Sequence, residues 1–329
     1  MPARSPEPSS EPLPTDSSVF AESGDLATEI TRIADGDIEL LEELHELDPG
    51  QVAAEDLVKK RLGPLFWIAV GWFGLVALLA LLAPVLPLQD YRTPSSCVRC
   101  PPSADHWFGT DTLGRDIFSR VVWGGRVSLA VGFAAVAFGV AIGGTLGVIA
   151  GYFKGRLEAT IMWAMDVLLA FPALLLALVI VTFRVNRDVG NIILAIGIVA
   201  IPPIARLVRA ATLVHSEREY VTAARALGAS NFRIIWREVV PNVALPVLSF
   251  SIIGVAVAIV AEGGLSFLGL SVPPPTPTWG GMINDGRAVL AREPFISLIP
   301  CAVMFLTVLA LNLAGDRVRE YFDVKEVGL

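Results

Sequence analysis

Six long segments of this 329-residue chain carry almost no charged residues. A helix that crosses the hydrocarbon core of a bilayer needs roughly 17–25 mostly apolar residues, and all six segments are long enough, the fourth by the smallest margin. The third contains a single acid, Asp166. The segments lie between Arg61 and Asp90, Arg126 and Lys154, Glu158 and Arg184, Asp188 and Arg206, Glu238 and Glu262, and Glu293 and Asp316.

The composition supports the same conclusion. Hydrophobic residues make up 54% of the chain, and the mean hydropathy is +0.63, which is high for a soluble domain of this length. Buried helices of a large soluble protein are the alternative, but six such segments in one chain argue against it. The sequence therefore predicts an all-α, polytopic membrane protein with six transmembrane helices.

The charges divide the chain into two domains. Residues 1–58 hold 15 acids against two bases, a net charge of −13, whereas residues 59–329 carry a net charge of +6. We predict that 1–58 is an acidic, largely disordered tail with a possible short helix near Ile38–Leu44, because it lacks the apolar content to fold alone. The tail is either a solvated extension or a regulatory docking segment. The six spans occupy 59–329.

Lysine and arginine set the orientation of the spans, since cytoplasmic loops carry an excess of both. The loop after the fourth segment holds six arginines, and it falls on the same side as both chain ends if the spans alternate. The opposite side also carries arginines, but not in one long loop. We therefore expect the N- and C-termini to be cytoplasmic. The six arginines of the loop after the fourth segment are Arg206, Arg209, Arg218, Arg225, Arg233 and Arg237.

The stretch "EYVTAARALGASNFRIIWREVVP", from Glu219 to Pro241, lies in this loop. Its first part has the spacing of a short amphipathic helix, and Gly228 then suits the left-handed residue that ends a helix. Ser230 or Asn231 can cap a second helix, and Pro241 is predicted to open the fifth span. A helical loop resting on anionic lipid is an alternative for a basic segment of this kind. The apolar face of the short first helix consists of Tyr220, Ala223, Ala224 and Leu227, and that of the second helix consists of Phe232, Ile235, Trp236 and Val239.

The order of residues in this stretch resembles the cytoplasmic "EAA" loop of ABC importer permeases. That loop has the form EAA, three residues, Gly, nine residues, Ile-x-Leu-Pro. Ala223, Ala224, Gly228 and Pro241 match by position. The departures are Thr222 for the glutamate, Glu238 for the isoleucine and Val240 for the leucine. The phrase "EYVTAARALGAS" is similar to the dipeptide, oligopeptide and nickel branch, in which the first position varies.

Three further stretches resemble the same branch, so the similarity covers roughly residues 60–325. They are "HWFGTDTLGRDIFSRVVWGGRVSL", "MDVLLAFPALLLAL" and "GLSFLGLSVPPPTPTWGGM", in the order expected for the C-type permease of dipeptide importers. The resemblance implies a type I ABC importer permease fold in a bacterial-type inner membrane. It implies that transport proceeds by alternating access.

The same resemblance implies partners and a coupling site. The partners are a second, homologous permease, two cytoplasmic ATPases that bind ATP and Mg²⁺, and an extracytoplasmic solute-binding protein; membrane lipid surrounds the spans, and no nucleic acid is involved. Loop 209–241 would form the coupling helix that enters a cleft on an ATPase. The candidate coupling residues are Glu219, Tyr220, Thr222, Ala223, Ala224, Arg225, Gly228, Arg233 and Pro241.

The chain shows no motif for chemistry of its own. It has no G-x-x-x-x-G-K-[ST] phosphate loop and no H-E-x-x-H, and its three histidines are scattered. We therefore expect no catalytic residue, no metal site and no cofactor bound by this chain. Asp111 and Asp116 lie near Arg115 and Arg120, which favours a salt-bridged external loop over an acid–base pair. A membrane enzyme would need a nucleophile–base pair or metal ligands within the spans.

Asp166 and Glu262 are candidates for the translocation path. An acid within a span is costly in lipid, so Asp166 either contacts solute or bonds to a neighbouring helix or subunit. Glu262 lies near the outer end of the fifth segment, where it can line the mouth of the path.

Cys97 and Cys100 form a C-x-x-C in the external loop, where they are either a local disulfide or free thiols. Gly139, Gly143 and Gly147 recur every four residues, which allows close approach of another helix, from this chain or from a second permease.

The sequence leaves two questions open, the class of transporter and the identity of the solute. A secondary transporter or channel that needs no ATPase is the alternative function, and it leaves the coupling-loop pattern unexplained. The resemblance leaves the solute undetermined among dipeptides, oligopeptides, nickel, haem and sugars.

Overall fold

A computed structural model describes residues 63–183, 188–270 and 272–327 of the chain. The acidic tail and its predicted short helix therefore lie outside the described residues. Within the described ranges the regular structure is helical, and the one β feature is an isolated bridge between Thr110 and Asp116.

We number the helices of the described ranges α1 to α9. Helix α2 contains a π-helical turn, Val140–Gly144, and α7 contains a second, Ile235–Val239. A short 3₁₀ turn, Arg287–Val289, follows α8. The helices are α1 Pro64–Leu82, α2 Ile117–Phe153, α3 Gly155–Leu169, α4 Ala173–Phe183, α5 Val189–Ser216, α6 Glu219–Ala226, α7 Asn231–Phe267, α8 Trp279–Gly286 and α9 Phe295–Val327.

The long helices coincide with the predicted spans. Helices α1, α2, α5, α7 and α9 are each long and apolar enough to cross a membrane. Helices α3 and α4 together make the sixth candidate, but they meet at an angle of 86°. The break precedes Ala173 and contains Pro172, which cannot donate a helical hydrogen bond and disfavours helix at the residue before it. The third span is therefore a broken one.

Several helices continue beyond the charges that limit the predicted segments, and α2 and α5 are two of them. Helix α2 begins at Ile117, before Arg126, and α5 continues past Arg206 to Ser216. An arginine marks the end of an apolar segment in the sequence. The helix itself can continue past that arginine when its side chain pairs with an acid. The guanidinium of Arg206 pairs with Asp166, so the helix carries its charge without an unpaired group.

The prediction that Pro241 opens the fifth span is confirmed for the α-helical part of that span, Val240–Phe267, which has Pro241 in its first turn. The continuous helix α7 begins earlier, at Asn231. The π turn Ile235–Val239 resets the hydrogen-bond register just before Pro241, which then lies in the first turn of the α-helical part, Val240–Phe267. Proline is tolerated there because its missing N–H has no helical partner to lose.

The apolar core lies between α2, α5 and α7. Leu129 and Val136 of α2, Ile196 of α5 and Ile259 of α7 are buried together, and α1, α4 and α9 pack around them. Helix α8 contributes Trp279, whose indole is fully buried and donates from Nε1 to the Val121 carbonyl at 3.0 Å. This core fixes the directions of the helices that lead to loop 209–241.

The glycine stripe of α2 packs directly on the backbone of α5. A Cβ atom at Gly143 would lie 2.6 Å from the Ile201 carbonyl oxygen, and one at Gly147 would lie 2.6 Å from that of Ala205. A Cβ atom at Gly151 would lie 2.8 Å from the Arg209 carbonyl oxygen, and one at Gly139 would lie 2.9 Å from the Ala200 Cβ atom. The partner predicted for this stripe is therefore a helix of the same chain.

Replacing Gly143 with alanine should destabilise the protein. The added methyl group would meet backbone atoms that cannot rotate away, and such overpacking typically costs about 1–3 kcal/mol. Gly74→Ala is the matched control, because a Cβ at Gly74 of α1 meets nothing within 4 Å. Thermal unfolding in detergent should show a lower midpoint for Gly143→Ala and an unchanged or higher one for Gly74→Ala. Equal midpoints would contradict the close α2–α5 contact.

Candidate functional site

Helix α6 follows α5 after a short turn and ends at a glycine. Gly228 has φ +80°, the left-handed conformation predicted for it, and the Ala229 N–H donates to the Ala224 carbonyl at 3.1 Å. Ser230 then caps α7, since its Oγ accepts from the Arg233 N–H at 3.4 Å. The predicted order of short helix, glycine and capped second helix is confirmed.

The predicted alanine face of α6 is the face that the chain leaves open. Ala223 is exposed, Ala224 is half-buried and the Leu227 side chain is 87% exposed. The candidate coupling residues other than Ala224 are exposed: Glu219, Tyr220, Thr222, Ala223, Arg225, Gly228, Arg233 and Pro241. The structure brings them together on α6 and the first turn of α7, except Pro241, which lies farther along α7.

One buried side chain anchors α6 to the spans. Val221 is fully buried in a cluster with Val208 of α5 and with Ile234 and Val239 of α7. The cluster also contains Tyr152 at the end of α2. Sequence reasoning missed Val221, because an eight-residue helix has too few turns for its periodicity to separate a buried position from an exposed one.

Polar contacts reinforce this anchor. The Tyr152 hydroxyl donates to Asn231 Oδ1 at 3.0 Å, and the Arg225 guanidinium lies over the Tyr152 ring at 5.9 Å. Tyr220 Oη lies 3.1 Å from His215 Nδ1. Helix α6 is thus attached to α2, α5 and α7 at once, and a displacement of α6 would be transmitted to these three spans through packed side chains.

The predicted apolar face at the start of α7 is wrong in part. Phe232 and Trp236 are 73% and 60% exposed, with their ring centroids 6.2 Å apart, whereas Ile234 is fully buried. The π turn that begins at Ile235 changes the angle between successive side chains, so the 3.6-residue spacing does not extend through it.

Glu262 lies inside the packing of three helices. Its carboxylate is fully buried and accepts from Ser128 Oγ of α2 at 2.9 Å and from Ser266 Oγ of α7 at 2.6 Å. Ser128 Oγ in turn accepts from the Trp279 N–H of α8 at 3.3 Å. In this conformation the side chain holds helices together and does not reach an exposed surface.

Asp166 lies at an exposed surface. Its Oδ1 pairs with Nη2 of Arg206 on α5 at 2.5 Å, and the side chains of the two residues are 58% and 51% exposed. The bonded helix is therefore α5 of the same chain. Of the two candidates for the translocation path, Glu262 is therefore buried and Asp166 is exposed.

The loop that precedes α2 is held by buried charges, as predicted. Asp111 Oδ2 accepts from Arg115 Nε at 2.7 Å and lies 3.4 Å from Arg120 Nε. Asp285 of α8 lies 3.6 Å from Arg115 Nη2, and partial burial raises the pKa of the Asp285 carboxyl although both arginines act to lower it. These ion pairs attach the loop to α2 and α8.

The other acid of this loop, Asp116, has a different role. Its Oδ2 caps α2 by accepting from the Ser119 N–H at 2.8 Å, and its Oδ1 lies 3.0 Å from His106 Nδ1.

Cys97 and Cys100 are joined by a disulfide in the same loop, with their Cα atoms 5.8 Å apart. Thr110 Oγ1 donates to the Cys97 carbonyl and accepts from the Cys100 N–H, both at 2.8 Å. The pair therefore serves as a local staple in the structure. Among the residues described, no group of three His, Cys, Asp or Glu side chains is arranged to hold a metal ion.

Comparisons with known proteins identify the family. Residues 143–326 match the family described as "Binding-protein-dependent transport system inner membrane component". The chain is 42% identical over 224 residues to the glutathione transport system permease protein GsiD of Pectobacterium atrosepticum, covering 68% of this chain and 74% of that protein. It is 39% identical over 280 residues to the dipeptide transport system permease protein DppC of Alkalihalophilus pseudofirmus, covering 85% and 91%.

Solved structures show the same fold. The inward-facing MetNI methionine ABC transporter superposes with a TM-score of 0.52 at 22% sequence identity, over 61% of this chain and 95% of that chain. The chain belongs to the family of binding-protein-dependent inner membrane transport components. It is a permease subunit of an ABC import system, a transport subunit of the bacterial inner membrane that works with an ATPase and a binding protein, and it is not itself an enzyme.

Glu262→Leu should weaken the packing of α2, α7 and α8 more than Glu262→Gln. Leucine removes the acceptor of the Ser128 hydroxyl, whereas Ser266 Oγ keeps Thr278 Oγ1 at 3.2 Å, and a buried group left unsatisfied costs about 1–3 kcal/mol. Glutamine keeps the volume and one acceptor oxygen. The measurement is thermal unfolding in detergent together with the yield of folded protein. Equal behaviour of the two variants would show that the carboxylate network does not hold α2, α7 and α8 together.

Proposed function

We propose that α6 is the helix through which this permease docks on a cytoplasmic ATPase. The observation that carries the proposal is the combination of an exposed, alanine-faced short helix with a fully buried anchor, Val221, that joins it to three spans. An exposed helix that merely rested on lipid would not need this attachment. Small side chains at Ala223 and Ala224 allow a partner surface to approach the α6 backbone closely.

Charges at the edge of α6 suit a protein partner. Glu219, Arg225 and Arg233 are exposed around the alanine face, and such rim charges mainly steer association and set its register. Leu227 and the aromatic pair Phe232 and Trp236 add exposed apolar area next to them. A rim of charge around an apolar and small-residue centre is the usual composition of a protein interface.

The proposed assembly contains this chain, a second homologous permease, two cytoplasmic ATPases that hold ATP and Mg²⁺, and an extracytoplasmic binding protein. Both chain ends and α6 lie on the cytoplasmic side, in agreement with the excess of arginine in the loop that carries α6. This chain holds no cofactor of its own. Closure of the ATPases moves α6, and the cluster around Val221 passes that movement to α2, α5 and α7, which reorients the path between outward and inward access.

The proposed solute is a short peptide. The names of two relatives refer to glutathione and to dipeptides, and both are short peptides with charged ends. Asp166 remains a candidate for the path because it is exposed at a span. Glu262 contributes by holding the outer ends of α2, α7 and α8 in place.

Ala223→Trp should abolish ATPase binding without unfolding the permease. The indole would occupy the exposed face of α6 and prevent close approach, while Val221 and the cluster behind it stay unchanged. Ala104→Trp is the matched control, since Ala104 is an exposed alanine of the external loop. The measurement is an affinity pull-down of the tagged permease, co-expressed with its ATPases, in mild detergent, with co-purifying ATPase activity assayed.

We expect ATPase activity with the wild type and with Ala104→Trp, and its loss with Ala223→Trp. Retention of full activity by Ala223→Trp would place the ATPase contact elsewhere. If wild type brings down no ATPase, the proposal for the assembly fails.

A further inference from the structure

Three ion pairs follow the seam between α3 and α5. Lys154 Nζ lies 2.6 Å from Glu217 Oε1 beyond the ends of α2 and α5, and this contact lowers the pKa of Glu217. Arg209 Nε donates to Glu158 Oε1 at 2.6 Å one step further along the seam. The pair formed by Asp166 and Arg206 comes last and lies deepest, because Arg206 is about 15 Å along the long helix α5 from its end at Ser216, at 1.5 Å per residue.

The pair formed by Asp166 and Arg206 is exposed. At its depth in the membrane, lipid tails would surround it if lipid covered this face. More than half of each of its two side chains is open. An ionised group in hydrocarbon costs several kcal/mol even after local rearrangement, so intramembrane charges face protein or water. This surface of the permease therefore does not face lipid.

The exposed side of α5 has the wrong side chains for lipid. It presents Pro203, Arg206 and Ala210, which lie on one face at helical spacing, and Val214 is the one large apolar side chain of α5 that is substantially exposed. Helix α1 differs, since large apolar residues such as Leu75 and Leu78 are exposed along it. This contrast with α1 holds for the α5 side of the seam, whereas α3 exposes Trp163 and Val167 beside Asp166.

The break between α3 and α4 lies beside the same face. Three residues of the break are exposed: Ala170, which lies one turn beyond Asp166, and then Phe171 and Pro172. The Ala170 N–H donates to the Asp166 carbonyl at 3.0 Å and the Phe171 N–H donates to the Leu168 carbonyl at 3.4 Å, so the N–H groups of the break are bonded within the chain. The demand for water or protein at this place comes from the ion pair.

We propose that the α3–α5 seam is the water-filled, cytoplasmic half of the solute path. It is lined by equal numbers of cationic and anionic groups, which suits a zwitterionic solute such as a short peptide. Arg206 holds Asp166 through one nitrogen, and a guanidinium has five N–H donors, so others are available to a solute carboxylate. This inference rests on the proposed function of the chain as the permease of a peptide importer.

Cysteine labelling in the assembled complex tests the proposal. The background is Cys301→Ser, which removes the free thiol, while Cys97 and Cys100 stay bonded to each other. Ala170→Cys and Ala210→Cys report on the seam. Leu75→Cys is the matched control for the depth of Asp166, because it lies about 16 Å along α1 from Pro64, and Leu78→Cys lies about one turn deeper. Inside-out vesicles are treated with membrane-impermeant methanethiosulfonates, one cationic and one anionic.

We expect both seam positions to react and both α1 positions to stay unreactive. In addition, Arg206→Gln should slow the anionic reagent at Ala170→Cys, and Asp166→Asn should slow the cationic reagent there. Seam cysteines as unreactive as the controls would show that lipid or a second permease covers this face, and would overturn the proposal. Co-purification of ATPase activity from the same vesicles reports separately on the proposed function, so the two can fail independently.

Discussion

The close contact between α2 and α5 determines where the functional parts of this permease lie. Four glycines on α2 bring its backbone against that of α5, so that these two helices behave as one unit. The C-terminal end of α5 leads directly into α6, and the end of α2 supplies Tyr152 to the cluster that anchors α6. The opposite face of α5 carries Arg206 and the exposed seam. One helix thus connects the proposed ATPase contact to the proposed solute path.

The charged groups of the permease fall into two classes with different consequences. Glu262 and the cluster around Asp111 are buried and bonded on several sides, so they fix the ends of the helices and leave little freedom for movement. Along the α3–α5 seam the first and last pairs are exposed and the middle pair, Arg209 with Glu158, is half-buried, so water screens the exposed pairs and they can exchange partners at low cost. A permease that alternates between two states needs both classes: rigid connections within each group of helices, and exchangeable contacts where groups and solute move.

Much of this architecture follows from sequence. The apolar segments predicted the spans, and Gly228 and Ser230 predicted the turn between α6 and α7, because only local backbone chemistry is involved. The length of α5 did not follow, since an arginine ends an apolar segment unless its partner is known, and Asp166 is distant in the chain. The passage of α7 through Pro241 depended on a π turn that has no sequence signature. Whether Glu262 would be exposed or buried required knowing that α2 and α8 pack on either side of it.

The central claim of this account is that Val221 couples α6 to the spans. The most direct test compares Val221→Ala with Val257→Ala, the same change at an exposed valine of α7, in the reconstituted importer, by measuring solute uptake per ATP hydrolysed. Val221→Ala should still bind the ATPases and hydrolyse ATP but import less solute per ATP, whereas Val257→Ala should keep the wild-type ratio. An unchanged ratio in Val221→Ala, with ATPases bound, would contradict this claim.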